Sequence, residues 1–262
     1  MRILVSNDDG IHANGIKVLV EALGKEHEVY VVAPDRERSA SGHSLTMQTP
    51  LRVEDVEVME GARQCWATTG TPGDCVKLAV SAILPKDKKP DLVISGINHG
   101  PNLGGDILYS GTVSCAMEGA LMGIPSVAVS LASLEHDIEN FRVPAEFMVK
   151  LLKKLESYKI PDKTVLNINV PGLAKSDIID AVATELGGRM YTDCYDKRID
   201  PRGKVYYWLA GELVTEAEDS STDIAAIRNN KISITPITYD MTRRGYLEEL
   251  ETNLCCNIES WF

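Results

Sequence analysis

The chain has 262 residues, with 27 Lys and Arg against 38 Asp and Glu, which gives a formal charge of −11. Hydrophobic residues make up 44% and charged residues 25% of the chain, which excludes collagen-like, disordered and small disulfide-scaffold classes. The acidic balance argues against a broad nucleic-acid or anionic-membrane surface, because such surfaces need clustered Lys and Arg. We therefore expect neither a nucleic-acid polymer nor a membrane as partner, and an anionic substrate would need a metal ion or a helix N-terminus.

Strand-like and helix-like patterns alternate through the first 170 residues. Short apolar runs typical of buried parallel strands lie at residues 2–6, 28–33, 91–95, 126–131 and 165–170. Between them, apolar residues recur at helical spacing, from Ile16 to Leu23, from Val113 to Leu121 and from Met148 to Leu155. Thr71, Pro72 and Asp74 form the pattern that opens a helix. The alternation predicts βαβ units in a doubly wound, Rossmann-like three-layer αβα sandwich with a mostly parallel sheet.

The pattern changes after about residue 185. The segment from Arg189 to Leu213 is rich in Tyr and Trp, and residues 200–203 read as a turn, which predicts a projecting β-hairpin arm. A lone hairpin is marginally stable, so we expect this arm to pack on a partner subunit. The expected organisation is a single domain over 1–262, with a core at about 1–185 and 231–240, an arm at about 186–213 and a C-terminal helix at about 241–254.

The six cysteines show no CxxC spacing, and most lie in apolar or strand-like segments that favour buried free thiols. Redox activity is the alternative for the adjacent Cys255 and Cys256. No apolar stretch reaches the roughly 18–20 residues of a membrane span, and the N-terminal run is too short for a signal peptide. These features favour the reducing cytoplasm.

Loops rich in Asp, Asn, Ser and Gly follow three of the predicted strands, at residues 7–10, 34–44 and 96–106. In an open parallel sheet, ligands bind outside the carboxyl ends of the strands. One such loop alone is ordinary turn composition. Three at the same edge predict a binding site.

Adjacent Asp8 and Asp9 are the most specific feature of these loops. Two neighbouring carboxylates at a strand end repel each other, and a bound cation removes that conflict. Ser39 and Asn98 can add neutral oxygen donors, although turn capping is the alternative for both. Such oxygen donors suit Mg²⁺, Mn²⁺ or Ca²⁺ rather than zinc.

The third loop leads into a predicted helix that begins near Ser110, Gly111 and Thr112. Exposed N–H groups and the helix dipole bind anions, and the two hydroxyls would add donors, with ordinary N-capping as the alternative. A dication beside this helix start makes a phosphate site. His43 is the candidate proton donor among the loop histidines.

Other signatures are absent from the sequence. It holds no phosphate-binding GxxxxGK[ST], no GxGxxG after the first strand and no GxSxG. A phosphoacceptor or nucleotide-sensing domain is the non-enzymatic alternative, but it needs an Asp at the end of the third predicted strand, which reads Ser95-Gly96-Ile97-Asn98. A haloacid-dehalogenase-type phosphatase needs DxD after the first strand, and Asp8-Asp9-Gly10 does not supply it.

Several long motifs resemble those of the SurE (survival protein E) family of acid phosphatases and 5′/3′-nucleotidases. They are NDDG at 7–10, APDRERSASGHS at 33–44, GTPGDCV at 70–76, SGINHGPNLGGDILYSGTVSCAMEG at 95–119, LNINVP at 166–171 and SITPIT at 233–238. The resemblance spans most of the chain and is weakest at about 185–231.

The resemblance implies the ligand set Asp8, Asp9, Ser39 and Asn98 for one divalent cation per subunit, Mg²⁺ or Mn²⁺, with Ca²⁺ as a substitute in crystals. It implies hydrolysis of nucleoside 5′-monophosphates, with 3′-monophosphates and short polyphosphate as further substrates, in a homodimer or homotetramer. Asp8 and Asp9 would be the catalytic residues. The expected substrate-binding residues are Asn102, Ser110, Gly111, Thr112 and His43. Direct attack by water and a phospho-aspartyl intermediate on Asp8 both stay open.

Overall fold

A computed structural model describes residues 1–133, 135, 137–188, 190–191, 194–211, 213–214 and 219–255. The strands are β1 (Arg2–Ser6), β2 (Glu28–Pro34), β3 (Val53–Asp55), β4 (Ala62–Thr68), β5 (Leu92–His99), β6 (Ser126–Ala132), β7 (Thr164–Pro171), β8 (Asp180–Ala183), β9 (Met190–Tyr191), β10 (Cys194–Ile199), β11 (Val205–Ala210), β12 (Leu213–Val214) and β13 (Lys231–Thr238). The α-helices are α1 (Asn14–Leu23), α2 (Pro72–Leu78), α3 (Gly111–Leu121), α4 (Arg142–Leu155), α5 (Asp223–Arg228) and α6 (Leu247–Leu250). Short 3₁₀ turns include Gly104–Leu108, and π-helical turns follow α2 and α6.

Nine of these strands form one sheet, in the order β3-β4-β2-β1-β5-β6-β7-β13-β8. The six neighbouring strands from β4 to β7 in this order are all parallel to one another, while β3 and β13 each run antiparallel to a neighbour. The strand order changes direction between β1 and β5, and open α/β sheets bind ligands at such a point. The predicted doubly wound, mostly parallel sheet is confirmed.

Helices cover both faces of the sheet, because successive side chains of each buried strand point to opposite sides. Ile3 of β1 belongs to the apolar cluster that includes α1 and α4, whereas its neighbour Leu4 belongs to the cluster with Cys75 of α2 and Cys115 of α3. The apolar stripe predicted for α1 is fully buried. These two apolar clusters make the three-layer αβα sandwich.

The opening of α2 follows its sequence pattern in detail. The Thr71 hydroxyl accepts from the Asp74 N–H at 3.2 Å, and the Asp74 carboxylate accepts from the Thr71 N–H at 2.9 Å. Pro72 occupies the first turn. The predicted capping box is confirmed.

The strand β5 is longer than the apolar run that predicted it. Residues 96–99, which we expected in a loop, continue the strand through a register shift between Ser95 and Asn98. Gly96 has φ +133° and is followed by a cis peptide bond, and a Cβ there would lie 2.2 Å from the Val129 carbonyl oxygen. A glycine at this irregularity therefore lets β5 stay beside β6 and places Asn98 at the sheet edge.

The predicted hairpin arm is present. Its strands β10 and β11 pair antiparallel, from Cys194 opposite Ala210 to Ile199 opposite Val205. Asp200 closes the turn by accepting from the N–H groups of Arg202 and Lys204, each at 2.8 Å. Arg189, where the aromatic-rich segment begins, lies outside the described residues.

The C-terminal helix is shorter than expected, since α6 spans four residues between a 3₁₀ turn at Arg244–Tyr246 and a π-helical turn at Glu251–Cys255. No helix in the described ranges is long and apolar enough to cross a bilayer. Cys65, Cys75 and Cys115 are buried free thiols, as expected, and Cys255 is exposed and free. Cys256 lies outside the described residues.

Candidate active site

Asp8 and Asp9 lie in a tight turn directly after β1. The buried Asn7 side chain closes this turn, because its amide group donates to the Gly10 carbonyl at 3.0 Å and its carbonyl oxygen accepts from the Gly10 N–H at 3.2 Å. Gly10 has φ +97°, and a Cβ there would lie 3.0 Å from the Arg36 backbone. The turn leaves Asp8 buried, at 5% exposure, and Asp9 half-buried.

The start of α3 packs directly on the Asp8 carboxylate. The Thr112 hydroxyl, itself fully buried, donates to Asp8 Oδ1. A Cβ on Gly111 would lie 2.6 Å from the Asp8 Cβ and 2.8 Å from its Oδ2, so only a glycine lets the helix come this close. Asp8 and the first turn of α3, with Gly111 and Thr112, therefore form one packed unit.

The two carboxylates are in an environment that disfavours their charge. Burial raises the pKa of Asp8, against the opposing effect of its hydrogen bonds with Thr112. Burial, followed by the charge of Asp8, raises the pKa of Asp9 to about 7, although the His99 N–H donates to Asp9 Oδ2 at 3.2 Å. A bound cation would relieve both effects.

Asn98 meets this unit from the end of β5. Its carbonyl oxygen lies 3.2 Å from the Thr112 hydroxyl, and its amide nitrogen donates to the Gly100 carbonyl at 2.8 Å. The second contact fixes the carbonyl oxygen as the side of the amide that faces Thr112, since only the NH₂ group can donate. Asp8, Thr112 and Asn98 thus converge at the sheet edge between β1 and β5, the switch point where the strand order changes direction.

Ser39 lies beside this unit without touching it. The Arg38 N–H donates to the Asp8 carbonyl at 2.7 Å, which holds the loop after β2 against the turn after β1. The exposed Ser39 hydroxyl donates instead to Glu37 Oε1 at 2.7 Å.

Glu37 is close enough for its charge to raise the pKa of Asp8 and Asp9, so it is a third acidic group at the site. The sequence interpretation missed Glu37. It alternates with Arg36 and Arg38, a pattern typical of a solvated loop, and only the folded loop brings its charge near the other two carboxylates.

Two expected phosphate-binding side chains have other partners. The Ser110 hydroxyl accepts from the Val113 N–H at 3.0 Å, so the capping alternative holds for this residue. A hydroxyl has one proton, and Thr112 gives its proton to Asp8 rather than to an approaching phosphate. In this structure Thr112 orients a carboxylate, and its expected contact with substrate stays a prediction.

Asn102 is buried, and its groups are engaged with the neighbouring strands. Its N–H donates to Asn169 Oδ1 at 2.8 Å, while its carbonyl accepts from the side chains of Asn167 and Asn169, each at 2.9 Å. Its own amide donates to the Ser130 hydroxyl at 2.8 Å. We expected Asn102 to contact substrate, but the structure places this donor on β6.

Asn167 and Asn169 were missed as site residues. The available signal is that two asparagines alternate along an apolar central strand, so both face the same side of the sheet. Buried amides of this kind require hydrogen-bond partners. Here they clamp the backbone of the loop that leads to α3.

The structure places His43 beside the carboxylate of Glu118. Its Nε2 lies 3.1 Å from Oε2 of the buried Glu118, whose other oxygen accepts from Lys77 Nζ at 2.7 Å. Glu118 comes six residues after Thr112 along α3, about 9 Å along the helix axis. In this structure His43 therefore anchors its loop to α3, and its expected role towards substrate stays a prediction.

The donor chemistry of the site fits a hard divalent cation. Within the described ranges, no three His, Cys, Asp or Glu side chains lie close enough together to form a metal-binding group, and this includes Glu37 with Asp8 and Asp9. The carboxylates of Asp8 and Asp9 and the carbonyl oxygen of Asn98 are oxygen donors of the kind that Mg²⁺ and Mn²⁺ accept.

Comparisons with known proteins identify the family of this chain. The family model described as Survival protein SurE matches residues 3–193. A 5′-nucleotidase SurE of Thermosynechococcus vestitus is 54% identical over 256 residues, covering 95% of each chain. One of Synechococcus elongatus is 50% identical over 259 residues, covering 96% of this chain and 98% of its own.

A solved structure extends the likeness to the fold. The crystal structure of the SurE protein from Aquifex aeolicus matches with a TM-score of 0.83 and 42% identity, covering 96% of this chain and 99% of that one. The family model covers well over half of the chain, and the curated relatives match almost all of it. On these matches, this chain belongs to the SurE family.

Proposed function

We propose that the protein is a metal-dependent phosphomonoesterase that hydrolyses nucleoside 5′-monophosphates to nucleoside and phosphate. The observation that carries this proposal is the convergence of Asp8, Asp9 and Asn98 at the switch point, directly against the start of α3. The similar proteins of Thermosynechococcus vestitus and Synechococcus elongatus are named 5′-nucleotidase SurE, which supports the same substrate class. Nucleoside 3′-monophosphates, which are also phosphomonoesters, and short polyphosphate, whose terminal phosphoanhydride would release a chain shorter by one phosphate, are proposed as further substrates.

One Mg²⁺ or Mn²⁺ per subunit would be held by Asp8, Asp9, Asn98 and Ser39. For Ser39, this requires its hydroxyl to turn from Glu37 towards Asp8, a rotation that an exposed serine makes easily. When bound, a divalent cation polarises a phosphoryl oxygen and lowers the pKa of a bound water.

The residues of the chain supply position and charge. Thr112 holds one oxygen of Asp8 in place, and the His99 N–H does the same for Asp9. Gly111 lets the first turn of α3 lie directly against Asp8. An incoming phosphate would be attracted by the positive end of the helix dipole there, and the Ser110 hydroxyl would add a donor. Catalysis by charges fixed before the reaction is typical of phosphoryl transfer.

We propose that the protein works as one domain in a homodimer or homotetramer, held together through the hairpin arm. A cytoplasmic location is supported by the free thiols of Cys65, Cys75 and Cys115, because disulfides are rare in that compartment.

A substrate screen tests the proposed function. Phosphate release would be measured from the common nucleoside 5′- and 3′-monophosphates and from polyphosphate, with Mg²⁺, Mn²⁺ or chelator. We expect the fastest turnover on 5′-monophosphates and none with chelator. Nucleotide binding by calorimetry without phosphate release would contradict the proposal and favour a nucleotide-sensing domain.

A further inference from the structure

A buried carboxylate outside the candidate metal site links two distant segments of the chain. Asp223 is the first residue of α5 and is fully buried. Its Oδ2 accepts from the Gly104 N–H at 2.9 Å. Its Oδ1 accepts from the N–H groups of Gly187 and Ile224, also at 2.9 Å each. One side chain therefore joins positions that lie 119 and 36 residues away in sequence.

The first of these segments is the loop between β5 and α3. Gly104 lies two residues after Asn102, whose backbone is clamped by Asn167 and Asn169, and six residues before Ser110. Asp223 therefore supplies a second attachment for the same loop, on the side nearer to α3. The position of the first turn of α3, and with it Thr112 on Asp8, depends on this loop.

The second segment is the base of the hairpin arm. Gly187 is buried and lies three residues before β9, where the arm begins. The backbone around Asp223 holds this segment as well, since the Asp223 N–H donates to the Glu185 carbonyl at 2.9 Å and Glu185 forms a β-bridge with Thr222. The arm therefore leaves the core from a point that shares a carboxylate with the loop before α3.

We propose that Asp223 is a positioning residue that couples the base of the arm to the active-site loop. Its Oδ2 holds the loop and its Oδ1 holds the arm, so a displacement on one side changes the hydrogen bonding on the other. The inference rests on the proposed function only in assigning the loop at 100–110 to the active site. Docking of the arm on a partner subunit would then stabilise the loop that orients Asp8.

Replacing the Asp223 carboxylate with an amide makes it possible to test its contact with the loop separately from its contact with the base of the arm. In Asp223→Asn only one of the two side-chain atoms can accept, and the NH₂ group cannot face an N–H. The orientation that keeps both bonds of Oδ1 places the NH₂ group against the Gly104 N–H. Asp223→Asn therefore releases the loop and keeps the arm base, whereas Asp223→Ala releases both.

Hydrogen exchange followed by mass spectrometry tests this in the full-length protein. In Asp223→Asn, we expect exchange in a peptide spanning 103–110 to rise roughly tenfold, the size of one lost charged hydrogen bond, with no change in 184–188. In Asp223→Ala, both peptides should exchange faster. The matched control is Asp180→Asn, an exposed aspartate that accepts from the next N–H, at Ala181, as Asp223 does from Ile224.

Hydrogen exchange of a peptide of α1, at 16–23, shows whether a substitution loosens only the two linked segments or the whole protein. Faster exchange of this peptide to the same degree would make Asp223 a general stability residue and would overturn the proposal. Unchanged exchange at 103–110 in Asp223→Asn, or at 184–188 in Asp223→Ala, would also overturn it.

The kinetic readout is kcat/KM for a nucleoside 5′-monophosphate, which should fall roughly tenfold in Asp223→Asn at temperatures where the variant stays folded, with a melting temperature lowered by only a few degrees. If the wild-type protein has no phosphatase activity, the proposed function is wrong, but the exchange pattern still shows whether Asp223 links the two segments. Wild-type kcat/KM in Asp223→Asn, with the loop peptide exchanging faster, would overturn the positioning role.

Discussion

Individual residues at the start of α3 determine how closely this helix approaches Asp8. Gly111 provides the space and Thr112 provides the hydrogen bond. From the sequence both residues were expected to bind substrate phosphate, and their packing on Asp8 appears only in the fold. Their roles differ from each other, and each can be tested with one substitution.

Gly111→Ala should abolish most activity, because its Cβ would lie 2.6 Å from the Asp8 Cβ and must displace the carboxylate or the helix. Phosphate release and metal affinity by calorimetry would both be measured. The matched control is Gly73→Ala in the first turn of α2, where a Cβ meets nothing closer than 3.5 Å. Activity in Gly111→Ala equal to that of Gly73→Ala would show that the close approach to Asp8 is unimportant.

Thr112→Val keeps the shape of the side chain and removes the proton donated to Asp8. A hydrogen bond to a charged group contributes about 1.5–3 kcal/mol, and loss of a group that orients a metal ligand typically costs 10–100-fold in affinity. We expect metal affinity by calorimetry to fall by roughly that factor and activity to fall with it, with Thr112→Ser close to wild type. Lower activity at wild-type metal affinity would instead mean that Thr112 acts on substrate.

Asp9→Asn removes one of two adjacent like charges in a half-buried setting, where burial and the Asp8 charge raise the pKa of Asp9 to about 7. We expect the metal-free variant to melt at a higher temperature than metal-free wild type at pH 8, since the repulsion is gone. Scanning calorimetry in the presence of chelator measures this. A lower melting temperature would show that the two carboxylates do not conflict in the absence of metal.

At the scale of elements, one buried carboxylate joins α3 to its neighbours. Glu118 of α3 pairs with Lys77 of α2 and with His43 in the loop after β2. These hydrogen bonds, His43 first, hold the pKa of Glu118 below its ordinary value. Because the same loop carries Ser39, this cluster also restrains one side of the candidate metal site.

The stability that Glu118 contributes should depend on pH. A carboxyl group whose pKa is lowered by folding stabilises the protein above its unfolded pKa, here near 4.5, and that contribution is lost as the pH falls through the lower folded value. Glu118→Gln should lower the free energy of unfolding by about 1–2 kcal/mol at pH 7 and by less at pH 3, measured by urea titration. Glu146→Gln, at an exposed pair with Lys175, serves as the control and should change little. An equal loss at pH 7 and pH 3 would contradict the prediction.

The sequence predicted the elements whose signals are local and missed those that depend on tertiary contacts. The apolar runs of β1 and β2 and the capping box of α2 are readable because each is decided within a few residues. The strand β4 (Ala62–Thr68) was missed because its first half is polar and exposed. The extension of β5 to His99 was missed because Gly96 and Asn98 are typical of turns.

The same reasoning applies to the candidate site. Asp8 and Asp9 stand out because adjacent carboxylates at a strand end are costly wherever the chain folds. The partners of Thr112, His43 and Asn102 are fixed by side chains from other elements, which no local pattern shows. These three therefore had plausible chemistry in the sequence and different neighbours in the structure.

The whole molecule carries apolar surface that a single subunit leaves exposed. Along the arm, Tyr195, Tyr207, Trp208 and Leu209 are 59–74% exposed. Aromatic side chains of this kind are enriched in protein interfaces. The arm is therefore the proposed contact with a second copy of the chain, and Asp223 lies at its base.

Replacing residues 196–208 with Asn-Gly would join Tyr195 to Leu209, a pair that already lies opposite across the hairpin, through a two-residue turn. We expect the mass measured by light scattering to fall to that of a smaller assembly, since Tyr207, Trp208 and most of the length of the arm are removed. Circular dichroism would verify that the shortened protein is folded. An unchanged mass would show that the arm does not hold the subunits together.

The central claim is that phosphatase activity depends on one divalent cation bound by Asp8 and Asp9. The most direct test measures phosphate release from nucleoside 5′-monophosphate by wild-type protein and Asp9→Asn, after exhaustive chelation and after stepwise return of Mg²⁺ or Mn²⁺. We predict no turnover without metal, full recovery in wild type, and recovery in Asp9→Asn only at much higher metal concentration. Full activity of chelated Asp9→Asn would contradict the claim.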